Sequence, residues 1–155
     1  MGTPIHASFG SSTAMTITLA SLANSTAGVG RQSTLIDNTT TQTQMVRVFY
    51  KITTGKSPTD KTTITLYLLQ GDNPASSNIR TDGAGASDAG LTVVTASLVG
   101  VIQVSSTSNV TYTGSFLIRN PGPEWGIAVV NSTGVALNST GGNHSLRYVV
   151  EDVTT

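Results

Sequence analysis

The sequence predicts an all-β protein, an antiparallel sandwich or small barrel of about nine short strands with an extended N-terminal arm. Three observations lead there. Apolar and polar residues alternate along most of the chain, and the helical spacing i, i+3, i+4, i+7 is never sustained with caps. Turn-forming Gly, Pro, Asn and Asp recur about every eight to twelve positions, with no helical crossover between the alternating segments. Between the turns Val, Ile and Thr are abundant, and their stiff branched side chains pack well on a pleated surface. A chain of 155 residues suits one domain. We divide it into an N-terminal arm or first strand over residues 1–26 and a single sandwich over 27–155.

The elements follow in order. Met1 to Thr13 is small and polar with isolated Ile5 and Phe9, and reads as an arm or a frayed end. Ala14 to Ala23 alternates Met15, Ile17 and Leu19 with threonines. No Lys or Arg precedes it, so it reads as extended chain, with no export signal and no membrane span. A strand is expected at Ser33 to Asp37. In Val46 to Ile52, Val46, Val48, Tyr50 and Ile52 share one face, while Arg47, Phe49 and Lys51 share the other. Thr62 to Leu69 repeats the pattern with Ile64, Leu66 and Leu68 inward and Tyr67 outward, and these two strands are expected to pair with each other.

Gln70 to Gly90 carries five glycine or proline residues and no apolar alternation, a long loop in which Asn73-Pro74 suits one helical turn. Further strands are expected at Leu91 to Thr95, Leu98 to Val104, Val110 to Arg119, Trp125 to Asn131, Val135 to Leu137 and His144 to Asp152. Gly100 and Gly114, inside otherwise good strands, mark bulges or close backbone approach. Asn131-Ser-Thr-Gly134 recurs as Asn138-Ser-Thr-Gly141, two reversals around a short segment. The six Asn-X-Ser/Thr triplets beginning at Asn24, Asn38, Asn109, Asn131, Asn138 and Asn143 follow from the same turn-rich composition.

Charge and composition narrow the chemistry. Eight basic and eight acidic residues are scattered singly and cancel, so no basic stripe follows a phosphate backbone or an anionic bilayer. We therefore expect neither nucleic acid nor membrane as partner. Cysteine is absent, serine and threonine number 44, and no G-x-S-x-G, P-loop or H-E-x-x-H motif occurs. A triad of His144, Asp152 and a serine, a calcium site at Asp72, Asp82 and Asp88, and a glycosidase pair of Glu124 and Glu151 each have the right atoms but no spacing that gathers them. The expectation is a non-enzyme without metal or cofactor. Arg47, Phe49, Lys51 and Tyr67 are the candidate contact face, since large aromatics on polar sides suit an interface. Trp125, after the corner Pro121-Gly-Pro123, either plugs the end of the core or, with Tyr112, stacks on a ligand ring.

The run Tyr112-Thr-Gly-Ser-Phe-Leu-Ile-Arg-Asn-Pro-Gly-Pro-Glu-Trp-Gly-Ile-Ala-Val-Val-Asn131, within a Thr/Ser/Asn-rich texture from Gly28 to Val153, resembles small structural proteins of tailed bacteriophages. That resemblance implies a jelly-roll type of sandwich. It further implies a capsid decoration (cement) protein, made in the host cytoplasm and carried on the virion surface, a homotrimer whose partner is the major capsid protein. The alternative is the receptor- or glycan-binding head of a phage fibre on the same scaffold, in which Trp125, Tyr112 or Tyr148 would line a groove.

Overall fold

Among the described residues eleven strands form two antiparallel sheets, and what decides their arrangement is how the chain passes from one sheet to the other. The computed structural model describes residues 6–25, 28–72, 74, 87–91 and 97–154. Sheet I runs in the order β1 (His6–Phe9), β11 (Ser145–Thr154), β5 (Met45–Thr53), β9 (Thr111–Arg119), with β2 (Thr13–Met15) also paired to β11. Sheet II runs β7 (Ala89–Gly90), β3 (Val29–Gln32), β10 (Glu124–Ser132), β6 (Thr63–Gly71), β8 (Ser97–Gln103), with β4 (Ile36–Asp37) also paired to β10. One short 3-10 turn, Gly141–Asn143, precedes β11. The all-β sandwich expected from alternation is the observed fold.

The core lies between the sheets. Val46, Val48 and Ile52 of β5, Ile118 of β9 and Leu146 of β11 face Ile64, Leu66 and Leu68 of β6, Ile102 of β8, and Trp125, Ile127 and Val129 of β10. Burying each such side chain contributes about 1.5–3 kcal/mol relative to leaving it in water, which makes this layer the main stabilising element. Gly114 has a specific job there. A Cβ on it would lie 2.4 Å from the Tyr50 hydroxyl, so the missing side chain makes room for the tyrosine across the β5–β9 pair. Near Gly100 the β6–β8 register shifts between Leu66 and Tyr67, the bulge that a glycine in mid-strand suggested.

Several expectations are corrected. β5 and β6 do not pair: β5 lies between β11 and β9 in sheet I, and β6 between β10 and β8 in sheet II. The connection from Thr54 to Thr62 spans the end of the sandwich, tied down where Thr54 N–H donates to Val110 O and Thr59 N–H to Thr133 O. Alternation shows that both strands face the core, but two strands facing each other across it satisfy that pattern as well as two neighbours do. Of the two expectations for the N-terminal segment, an arm or a first strand, residues 6–25 fit the second. β1 and β2 pair with β11, Leu19 and Leu22 are buried in the core, and Ser25 N–H donates to Asn131 O, so a boundary at 26/27 divides one folded unit.

Of the strand expected at Ser33 to Asp37 only Ile36–Asp37 is strand, as β4; β3 ends before it at Gln32, and Ser33 to Leu35 lie between the two. There the Ser33 hydroxyl accepts from Ile127 N–H while Ser33 N–H donates to Ile127 O. Val135 to Leu137 is not a strand. Asn131 organises it instead, donating its side-chain amide to Leu22 O and Val135 O and accepting from Thr133. The strand expected at Leu91 to Thr95 lies outside the described residues except for Leu91, as do Asn73 and most of the long loop.

Candidate functional site

The outer face of sheet I is where the sequence placed a contact surface, and three of its four residues do come together there. β5 alternation turns Val46, Val48 and Ile52 into the core and therefore Arg47, Phe49 and Lys51 outward. Phe49 is 42% exposed at the centre of the sheet, opposite Ser115 on β9 and Arg147 on β11. The small side chains of Thr113, Ser115 and Ser145 leave a shallow groove of about 460 Å³ along Phe49, Lys51 and Arg147. A large ring with low neighbours presents apolar area that folding leaves open to water, on a face that also carries Leu117 and Val149 on either side of Arg47.

The charges around the ring are held in place. Both Glu151 carboxylate oxygens accept from the Arg47 guanidinium. Lys51 Nζ donates to Gly142 O at 3.0 Å, and Arg147 donates to the Ser12 hydroxyl and carbonyl at 2.8 Å each. Arg47, Lys51 and Arg147 thus bring three cations to this face, and Glu151 answers one. Among the described residues Lys51 and Arg147 have no carboxylate partner: Lys51 donates to a carbonyl and Arg147 to a serine. Arg147 escaped the sequence reading: its parity on β11 was visible, but its place beside Phe49 follows from the β11–β5 register, which needs the fold.

Tyr67 belongs elsewhere. It lies on the outer face of sheet II, packed on the second buried cluster of Leu69, Leu91, Ala128 and Val130, so it cannot share a contact patch with Phe49. Trp125 is 1% exposed and meets Tyr148 edge to face, with ring centres 5.3 Å apart. Tyr112 leans on the core, and its hydroxyl accepts from Ser105 N–H at 2.9 Å. The ring-stacking role for Trp125 and Tyr112 is therefore replaced by core packing: Trp125 is the plug.

The remaining chemical candidates separate in space. His144 Nδ1 accepts from Thr53 N–H, so Nε2 carries the proton and donates to Asn138 O at 2.8 Å. Burial holds this imidazole below its ordinary pKa, the Asn138 carbonyl opposes that, and Lys51 adds to it. Asp152 follows eight positions along an extended strand, about 26 Å away, so the two cannot form a triad. Glu151 is in sheet I with Arg47, whereas Glu124 is in sheet II. Asp88 pairs with Arg31, Asp82 lies outside the described residues, and among the described residues no three acidic or histidine groups converge as a metal site would need.

Glu124 stands out in another way. It is 4% exposed, its Oε2 has no hydrogen-bond partner, and its cross-strand neighbour is Asp37. Burial raises its pKa, and the charges of Asp37 and Asp72 raise it further. Asp37 moves the opposite way because the Thr39 hydroxyl and amide both donate to its carboxylate. Comparison of the chain with family models, curated proteins and solved structures found no match.

Proposed function

We propose that this chain is a non-enzymatic virion structural protein that decorates a phage capsid lattice, with the major capsid protein as its partner and a homotrimer as its assembled form. The observation that carries the reading is the outer face of sheet I, where an exposed Phe49 at the centre of a hydrogen-bonded sheet is flanked by Arg47, Lys51 and Arg147. Aromatic and arginine side chains on a rigid platform are the residue types that anchor protein interfaces. The strand order supports a jelly roll. Strands 2, 11, 5 and 9 in one sheet and 3, 10, 6 and 8 in the other nest the two ends of the chain inside one winding, as two interleaved Greek keys require.

The mechanism is avidity. One Phe49 face gives a weak contact, and three on a symmetric oligomer engage a repeating lattice together, which multiplies the effective affinity without any new contact. Capsids of a tailed phage lacking this protein, mixed with the purified chain, should acquire stoichiometric density at lattice positions in electron micrographs. Phe49→Asp should abolish that density while leaving the melting temperature within a few degrees, and native mass of the free protein tests the trimer. Absence of ordered density with the folded wild-type chain would sink the lattice reading.

A further inference from the structure

Among the described residues four large apolar side chains are exposed, and two of them, Leu98 at 58% and Val101 at 55%, sit on β8. This strand is an outer strand of sheet II and pairs, among the described residues, with β6 alone. An edge strand offers a row of unpaired N–H and C=O groups, and proteins guard such edges with lysine, proline or inward-pointing charge. β8 reads Ser-Leu-Val-Gly-Val-Ile-Gln and contains none of these; its one irregularity is the bulge at Val99. The neighbouring edge of sheet I differs. β9 shows Thr111, Thr113 and Ser115 outward with one apolar residue, Leu117, and ends in Arg119, whose charge guards that edge.

We propose that β8 pairs antiparallel with β8 of a second copy of this chain about a two-fold axis at Val101, so that sheet II continues from one subunit into the next. The strand suits its own copy because it is uncharged, so no like charges meet, and because antiparallel pairing of one edge with itself closes under two-fold symmetry. The register follows from the faces. Gly100 and Ile102 point inward with Leu66 and Ile64, and Val101 points outward with Thr65. An axis at Val101 sets Val101 against Val101 on the outer face and Gly100 against Ile102 on the inner one. A slip of one residue would put inward positions opposite outward ones, so the pleat excludes it, and among the face-matched registers an axis at Val101 is the one that brings the two exposed valines together. Leu98, whose cross-strand neighbour is Tyr67, widens the outer apolar strip on either side of the axis.

The contact goes beyond the lattice reading and stands without it; on a trimer it would link neighbouring trimers in pairs. The absence of cysteine makes the test clean, since any introduced thiol is unique. Directly opposed residues of an antiparallel pair have Cα atoms roughly 4.5–5.5 Å apart, within disulfide range. Val101→Cys should therefore oxidise to a covalent dimer at least about tenfold faster than Ser115→Cys, a position on β9 that is also exposed. Val101→Lys should shift the concentration midpoint of association upward by at least about tenfold with unchanged melting, and Leu98→Lys should act in the same direction. Equal cross-linking rates at positions 101 and 115, or an association midpoint that neither lysine moves, would overturn the proposal. Capsid attachment is scored separately, so failure of one reading leaves the other standing.

Discussion

The two sheets carry the same alternating chemistry but end in opposite outer surfaces. In sheet I, β5 is buried on one side only, and its other side presents Arg47, Phe49 and Lys51. In sheet II, β10 is buried at Glu124 through Asn131 on both sides: Trp125, Ile127 and Val129 face the main core, while Ala128 and Val130 join Leu69 and Leu91 in a second cluster. The difference teaches where tolerance to change resides. A strand clad on both faces loses packing whichever residue is altered, whereas the open face of β5 has spare surface to offer a partner.

Substitutions at three positions sharpen that contrast. Removing the core plug has the largest effect: Trp125→Ala should cost about 3–5 kcal/mol in a urea unfolding titration, because the ring fills the inner face of β10 against Tyr148. A cost under about 1 kcal/mol would show that the inner layer is not the principal support. Next comes Glu124, the charged exception in the doubly buried strand. Its folded pKa is raised above the unfolded value, so ionisation opposes folding: the native state is favoured while the carboxyl is protonated and loses ground as pH rises through the unfolded and then the folded pKa. Glu124→Gln should therefore stabilise the protein at pH 7 by roughly 0.2–1 kcal/mol, first because no charge is then buried and second because the like charge of Asp37 is no longer opposed across the strands, with the gain fading as pH falls below the unfolded pKa. A gain independent of pH would assign the effect to packing. Smallest of all, Phe49→Ser on the open face should change stability by less than about 0.5 kcal/mol by thermal melting. A larger loss would mean that the ring is part of the core and not an exposed platform.

How far the sequence alone reached can be judged residue by residue. The inward sets of β5 and β6 were legible from alternation, and so was the bulge near Gly100, because those signals are local; at Gly114 the expected bulge or close backbone approach is instead the Tyr50 side chain. The outward trio of Arg47, Phe49 and Lys51 was legible for the same reason. Tyr67 was grouped with it wrongly because parity names a face without naming a sheet. Residues 6–25 looked like an arm because β1 and β2 are only four and three residues long, too short for alternation to show, and their partner β11 lies at the far end of the chain. Val135 to Leu137 misled in the other direction. Its apolar ends looked like a strand, but the polar side chain of Asn131 takes up the backbone bonds there.

By itself the sequence determined that the chain is all-β, which side of β5 and of β6 meets the core, and that its formal charges cancel, since these depend on residue type and a period of two. Only the tertiary structure decided which strands are neighbours, that Trp125 is enclosed, that Arg147 stands beside Phe49, and that among the described residues β8 pairs on one side only. The physical reason is range. Side-chain direction is set within two residues of backbone, but pairing brings together positions as far apart as Ala14 and Arg147, and is settled by the burial and hydrogen bonding of the whole chain at once.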